Sequence, residues 1–169
     1  MSFKRKKEDK TPTPKNLKYI STAIIIFTLD QCFKDCVENW PATRKQLPLE
    51  GRFLTLRKHH NRGLPMNIAE EHQGKIAKIS LITTIIMTIY FAYVLISDGK
   101  PLEKAGLSLE IGGAFSNTYD RLNRKYVVDY FSFNYPEFLK KIVFNIGDIA
   151  IFVGTFLTLL SSLFTRKND

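Results

Sequence analysis

The stretch IVFNIGDIAIFVGTFLTLLSSLF, from Ile142 to Phe164, decides the class of fold. As an α-helix these residues would extend about 35 Å, which is enough to cross a bilayer core of roughly 30 Å. Two polar residues, Asn145 and Asp148, lie close to one end of the stretch. A carboxylate inside a membrane helix costs about 2.5 kcal/mol or more, so Asp148 needs either a partner or a function there.

Apolar residues are grouped in blocks along the rest of the chain, although the mean hydropathy of −0.11 is close to that of a soluble protein. Three further blocks cover residues 17–33, 76–96 and 105–122. The third is only weakly apolar, but its small residues Gly112 and Gly113 suit close contact between helices inside a bundle. The sequence therefore predicts an all-α integral membrane protein with four transmembrane helices.

The predicted organisation is a single four-helix membrane domain over residues 17–164, preceded by a basic arm and followed by a short tail at 165–169. The arm, residues 1–16, is rich in lysine and is predicted to be disordered. Basic residues at both ends favour a cytoplasmic location for both termini. The stretch GRFLTLRKHHN, residues 51–61, predicts a small extracytoplasmic strand or hairpin.

The net charge of +9 suits contact with nucleic acid or with anionic lipid. Because the basic arm is adjacent to a span, contact with membrane lipid is the favoured interpretation, and no nucleic-acid partner is expected. Cys32 and Cys36 are too few for a disulfide scaffold and are predicted to be buried or interfacial. Three histidines in a polar context predict solvated side chains rather than a metal site: His59, His60 and His72.

Carboxylates and amides are concentrated near the ends of the predicted spans. With four spans, Asp30, Asp120, Asp129 and Asp148 all approach the outer surface of the membrane. Two carboxylates that lie close together share one proton, and such a pair can activate a water and polarise a carbonyl group. The alternative is structural pairing, for which Asp120 beside Arg121 is the best candidate.

Five motifs, taken together, resemble the lipoprotein signal peptidase (signal peptidase II) family of bacterial membrane aspartyl proteases. They occur in the family's order: LDQCFK, FLTLRKHHNRG, GGAFSNTYDR, VVDYF and FNIGD. The chain departs from the usual pattern at Ser116, where Gly is usual, and at Gly147, where Ala is usual. It also departs at Leu64-Pro65-Met66, a region that flanks the substrate in the family.

The resemblance implies that Asp129 and Asp148 form the catalytic dyad. It implies supporting or substrate-binding roles for six further polar residues: Asp30, Asn61, Asn117, Asp120, Arg121 and Asn145. The implied substrate is a prolipoprotein whose cysteine carries diacylglycerol, cut just before that cysteine. Neither a metal nor an organic cofactor is expected. The enzyme would be a multi-pass monomer of the bacterial cytoplasmic membrane, with its active site near the extracytoplasmic face.

Two other classes of function remain open at the level of sequence. A non-catalytic relative that binds lipidated peptides or a membrane protein partner would explain the Leu64-Pro65-Met66 departure. It would not explain why both aspartates are present. A proton- or ion-coupled transport component would use buried aspartates, but no inverted repeat is visible in the sequence.

Overall fold

The structure, a computed structural model, consists of long α-helices and a small sheet, and it describes residues 14–41, 46–48, 53–63, 68, 70–97 and 100–165. The helices are α1 (Pro14–Glu38), α2 (Gln73–Ile96), α3 (Pro101–Asn123) and α4 (Ile146–Thr165). The strands are β1 (Gln46–Pro48), β2 (Leu54–Asn61) and β3 (Val127–Phe133). Most of the predicted basic arm, the end of the tail and the Leu64-Pro65-Met66 departure lie outside the described residues.

Helix α3 packs against each of the other three helices, most extensively against α4. This central position explains its weak hydropathy, because its polar and small side chains are buried against protein rather than lipid. The buried residues of α3 include Ser108, Glu110, Ser116, Asn117, Thr118 and Asp120. Its polar and small residues face neighbouring helices, which is why α3 can have a low hydropathy within this bundle.

Among the described residues, two helical segments are long and apolar enough to cross a membrane, namely Glu70–Ile96 and Ile146–Phe164. Both carry many exposed apolar side chains, as a surface in contact with lipid requires. The predicted spans at 17–33 and 105–122 form helices but do not meet this test. Cys32 and Cys36 are exposed on α1, so of the two predicted environments, buried or interfacial, the structure excludes burial within the protein.

Gly113 allows a close approach between α3 and α4. A methyl group at this position would collide with the backbone carbonyl of Gly147 in α4. Gly113→Ala is therefore expected to cost about 2 kcal/mol of stability, because the backbone of one helix must shift. The measurement is the Tm in detergent. Gly74→Ala is the matched control, since a methyl group at Gly74 would meet no atom within 4 Å. Equal Tm values for the two variants would contradict this packing.

The small sheet has the order β1-β2-β3, and both pairings are antiparallel. Strand β2 confirms the strand predicted within residues 51–61, whereas β3, which carries Asp129, was not predicted as a strand. The register places His59 opposite Asp129 and Asn61 opposite Val127. Residues opposite each other in an antiparallel pair share a face, so Asn61 approaches Asp129 diagonally along the sheet.

Helix α4 begins at Ile146, later than the predicted span, which began at Ile142. The backbone of Phe144 explains the difference, because it pairs with β3 instead of entering the helix. Its N–H donates to the carbonyl of Phe131 (2.7 Å), and its carbonyl accepts from the N–H groups of Tyr130 (2.9 Å) and Phe131 (3.0 Å). These bonds fix the start of α4 directly beside the strand that carries Asp129.

Candidate active site

Asp129 is a buried carboxylate in the middle of β3, with 2% of its surface exposed. Each of its oxygens accepts a hydrogen bond from a side-chain amide. Asn145 Nδ2 donates to Oδ1 (2.7 Å), and Asn61 Nδ2 donates to Oδ2 (3.2 Å). The carboxylate is thereby fixed between the end of β2 and the start of α4.

Asp148 lies in the first turn of α4 and forms a reciprocal cap with Asn145. Asn145 Oδ1 accepts from the backbone N–H of Asp148 (2.8 Å), and Asp148 Oδ2 accepts from the backbone N–H of Asn145 (3.2 Å). This geometry is that of a capping box, in which two residues three apart satisfy each other's free N–H groups. The spacing of the two residues had suggested a shared helix face, but Asn145 precedes the helix and caps it.

Asn117 of α3 joins the two aspartates from the opposite side. Its Nδ2 donates to Asp148 Oδ1 (2.8 Å), and its Oδ1 accepts from Asn145 Nδ2 (3.1 Å). Asn145 thus bonds to Asp129, Asp148 and Asn117 simultaneously. The structure brings these four predicted site residues together in one hydrogen-bonded cluster.

Arg121 holds the segment that follows β2 against α3. Its guanidinium donates to the carbonyls of Gly63 (3.4 Å) and Asn117 (3.5 Å). The N–H of Gly63 in turn donates to Asn61 Oδ1 (3.1 Å), which orients the amide that reaches Asp129. Arg121 therefore acts on the site through backbone carbonyls and through its positive charge near both aspartates.

The two aspartates open onto one cavity of about 440 Å³. Its polar lining consists of Asp129, Asp148, Asn61, Arg121 and Thr155. Apolar side chains complete the wall and extend along α4: Val127, Ile142, Val143, Phe144, Ile151, Phe152, Phe156 and Leu159. A polar end and a long apolar wall are suited to a ligand that has both a peptide and a hydrocarbon part.

The other two predicted aspartates, Asp30 and Asp120, converge on Lys34 instead of on the cavity. Lys34 Nζ lies 2.7 Å from Asp30 Oδ2 and 3.0 Å from Asp120 Oδ2, and all three side chains are fully buried. Asp120 also pairs with Arg124 (2.5 Å). The alternative of structural pairing therefore holds for Asp120, but its partners in ion pairs are Lys34 and Arg124 and not the adjacent Arg121. An adjacent residue on a helix points away from its neighbour, whereas one four positions away shares its face.

The sequence did not lead us to predict a role for Lys34, although its spacing from Asp30 is a recognisable signal. Asp30 and Lys34 are four residues apart on α1, the spacing at which opposite charges meet on a helix. Lys34 Nζ also donates to Asn117 Oδ1 (3.0 Å), whose amide nitrogen bonds to Asp148. The buried charge cluster and the two cavity aspartates are thus connected through Asn117.

The charge cluster also holds the backbone on both sides of Asp129. Asp120 Oδ2 accepts from the N–H of Val128 (3.1 Å), the residue before Asp129. Asp30 Oδ1 accepts from the hydroxyl of Tyr130 (2.9 Å), the residue after it. The Tyr130 hydroxyl accepts in turn from the N–H of Ile146 (3.0 Å), at the start of α4. Asp30 and Asp120 therefore position the aspartate-bearing elements without facing the cavity.

Burial, and next the negative charge of Asp148, raise the pKa of Asp129 to about 8. Its hydrogen bonds to Asn61 and Asn145 and the charge of Lys34 act in the opposite direction but are weaker. At neutral pH the pair therefore retains a proton. A pair of carboxyl groups that holds a proton is suited to acid–base chemistry.

The wild type is expected to lose stability as the pH rises, and Asp129→Asn is expected to remove this dependence on pH. The unfolded chain releases this proton near pH 4, whereas the folded protein releases it only near pH 8. Because the folded state binds more protons between these values, wild-type stability falls as the pH rises through that window. The Tm of the wild type, relative to that of the variant, should therefore decline from about pH 4 to about pH 8. A Tm difference that does not change with pH would contradict the raised pKa.

The histidines of β2 lie outside the cavity lining. His60 Nε2 lies 2.6 Å from Glu38 Oε1, and its ring stacks on Tyr126, so it is less solvated than predicted. Burial, and next the charge of His60, lower the pKa of His59. Among the described residues, no group of three or more His, Cys, Asp or Glu side chains is arranged to hold a metal ion.

Comparison with known proteins gives consistent results. Residues 22–164 match the family model described as signal peptidase (SPase) II. A lipoprotein signal peptidase of Shouchella clausii is 34% identical over 148 residues, which cover 87% of this chain and 93% of the relative. A lipoprotein signal peptidase of Clostridium acetobutylicum is 35% identical over 114 residues, which cover 67% of this chain and 72% of the relative.

The fold is also similar to two solved structures, each described as a bacterial membrane enzyme determined by the in meso method. The first, at 2.3 Å resolution, has a TM-score of 0.77 and 25% identity, covering 90% of this chain and 91% of that one. The second, at 1.9 Å resolution, has a TM-score of 0.70 and 26% identity, covering 86% and 92%. The motifs, the fold and these matches agree: the chain belongs to the signal peptidase II family of aspartic peptidases.

Proposed function

We propose that this protein removes signal peptides from prolipoproteins by means of an aspartate dyad formed by Asp129 and Asp148. The observation that carries the proposal is that both buried carboxylates open onto one cavity and are linked by Asn145. The membership of the family and the names of its relatives support the peptidase activity. They do not favour the alternative of a relative that binds without cleaving.

In the proposed mechanism the dyad shares one proton, which resides on Asp129. Asp148 lies at the N-terminus of α4, where the helix dipole favours negative charge, and it accepts from a backbone N–H and from Asn117. The ionised Asp148 removes a proton from a water molecule as this water attacks the scissile carbonyl. Asp148 then returns the proton to the leaving nitrogen when the C–N bond breaks. The protonated Asp129 donates a hydrogen bond to the carbonyl oxygen as negative charge develops on it.

Asn145, Asn117 and Asn61 hold the two carboxyl groups in place during the reaction. Each donates an amide N–H to one of the two aspartates, so each fixes an oxygen that must not rotate away from the substrate. Arg121 positions the segment 61–63 and contributes positive charge to the polar end of the cavity. Asp30 and Asp120 act from behind the site, through Lys34, Tyr130 and the backbone of Val128.

The apolar wall along α4 supports a substrate that carries diacylglycerol on its cysteine. Ile151, Phe152, Phe156 and Leu159 continue from Asp148 along the length of the helix. Acyl chains bound there would bring the peptide bond before the lipidated cysteine to the aspartates, and the buried apolar surface would favour lipidated over unmodified precursors.

The experiment that tests this function incubates the purified protein in detergent with two forms of one prolipoprotein, with and without diacylglycerol. The signal peptide should be released from the lipidated form, with the cut directly before the cysteine as read by mass spectrometry. Release from both forms at equal rates would contradict the role of the lipid. No release from either form, with both bound, would favour the binding-only alternative.

We further propose that all four helices cross the membrane in a monomer, with both termini cytoplasmic and the dyad near the extracytoplasmic face. The burial of the polar residues of α3 against protein supports this topology, since they are shielded from lipid. On this arrangement residues 17–164 form the membrane domain, residues 1–16 its cytoplasmic basic arm and residues 165–169 a cytoplasmic tail.

The cysteines of the chain provide a test of this orientation. Cys36 is exposed within one turn of the outer end of α1, so a membrane-impermeant maleimide should label it in intact cells. Cys36→Ser is the control that identifies the labelled residue. Labelling that requires inverted membrane vesicles would show that α1 ends in the cytoplasm and would contradict the orientation.

A further inference from the structure

Asp30 Oδ2 lies at the meeting point of three helices. Lys34 Nζ contacts it from α1 (2.7 Å), and the hydroxyl of Ser116 in α3 donates to it (2.5 Å). From α4, a Cβ placed on Gly147 would lie 3.0 Å from the same oxygen and 3.0 Å from Asn145 Oδ1. The Asp30 oxygen is therefore held by Ser116 on one side, and on the other it would have to move by a few tenths of an ångström to admit a side chain at position 147.

The hydroxyl of Ser116 has its full complement of hydrogen bonds. It donates to Asp30 and accepts from Gln31 Nε2 (2.8 Å) and Lys34 Nζ (3.1 Å). A hydroxyl group offers one donor and two acceptor positions, so its rotation is fixed by its neighbours. Ser116 is completely buried and does not line the cavity, which excludes direct contact with a ligand there.

The other oxygen of Asp30 connects its carboxyl group to the two elements that carry the dyad. Asp30 Oδ1 accepts from the Tyr130 hydroxyl, which accepts from the N–H of Ile146 at the start of α4. Tyr130 follows Asp129 in β3, and Ile146 precedes Asp148 by two residues. A rotation of the Asp30 carboxyl group would therefore disturb the two elements that carry the dyad at the same time.

We propose that Ser116 is a positioning residue for the dyad and that Ser116 and Gly147 act as a coupled pair through Asp30. The hydroxyl of Ser116 fixes the Asp30 carboxyl group in an orientation that leaves only a tight, 3.0 Å contact for a Cβ at position 147. This inference rests on the proposed function, since it concerns the geometry in which Asp129 and Asp148 act on the peptide bond.

The pair is tested by a double-mutant cycle with Ser116→Ala, Gly147→Ala and the double variant, using cleavage of the lipidated precursor. Each single variant should lower kcat by about tenfold with little change in KM, because neither residue contacts the substrate. The double variant should lose clearly less than the product of the two, because without the Ser116 bond Asp30 can move away from the added methyl group. If the loss of kcat in the double variant equals the product of the two single losses, the two residues are not coupled.

Ser108→Ala is the matched control, since Ser108 is a buried serine of the same helix whose hydroxyl donates only to its own helix, at Ala105 (2.7 Å). Its kcat should equal that of the wild type. An unchanged kcat for Ser116→Ala, or a raised KM alone, would overturn the positioning role. If Ser116→Ala does not fold, Ser116→Cys replaces it, because a thiol is a weak donor of similar size. Its kcat should be lowered by less than tenfold. An unchanged kcat for Ser116→Cys would also overturn the positioning role.

The wild-type protein separates this inference from the proposed function. If the wild type does not release the signal peptide, the proposed function fails. If it does, and Ser116→Ala cleaves equally well, only the present inference fails.

Discussion

Asp148→Asn is expected to reduce kcat for cleavage of the lipidated precursor by about 10³-fold or more. The amide cannot accept the proton of the attacking water at neutral pH, so the step that activates the water is lost. The cap of α4 should survive, because the side-chain oxygen of an asparagine still accepts from the Asn145 N–H, but its amide nitrogen cannot accept from Asn117 Nδ2. The Tm should therefore fall by no more than the loss of one hydrogen bond explains, about 1–3 kcal/mol of stability, while the activity is lost.

Glu137→Gln is the matched control for this variant, since Glu137 is a carboxylate with 83% of its side chain exposed. Its kcat and Tm should both equal those of the wild type. If Asp148→Asn cleaves the precursor at more than a tenth of the wild-type rate, Asp148 is not a member of the dyad. A variant that has lost its general base could not retain so much activity.

Lys34→Met is expected to destabilise the protein by about 3–5 kcal/mol, the cost of leaving buried charges without their partner. Asp30 and Asp120 lie 2.7 and 3.0 Å from the ammonium group and are fully buried. Without it Asp30 loses its cationic partner and Asp120 keeps only Arg124. The bonds of the two carboxylates to Tyr130 and Val128, which hold β3, are then weakened. Activity should fall together with stability.

Lys140→Met is the matched control, because Lys140 pairs with Glu137 at the surface, with half of its side chain exposed. Exposed ion pairs contribute about 1 kcal/mol or less, so its Tm should change little. The measurement is thermal unfolding in detergent for both variants. Equal Tm values for Lys34→Met and Lys140→Met would show that the buried cluster does not support the fold.

The sequence predicted the family and the strand at β2, because these depend on local composition and on motif order. It also named the residues of the candidate site, and the structure brings Asp129, Asp148, Asn145 and Asn117 into one cluster. The assignment of the dyad itself stays a prediction until it is tested by mutation.

What the sequence did not reveal depends on long-range contacts. The spacing of Asn145 and Asp148 is the same in a helix face and in a capping box, and only the pairing of Phe144 with β3 decides between them. The burial of Lys34 was not apparent because its partner Asp120 is 86 residues away on α3. The hydropathy of α3 is weak for a similar reason, since three other helices shield its polar residues.

The measurement that tests the central claim most directly is the kcat of the wild type, Asp129→Asn, Asp148→Asn and the variant with both changes, on one lipidated precursor. If the two carboxyl groups act as a unit, each single variant should lose nearly all activity, and the double variant should lose no more than either. Wild-type cleavage by either single variant, or losses that multiply in the double variant, would contradict a shared dyad of Asp129 and Asp148.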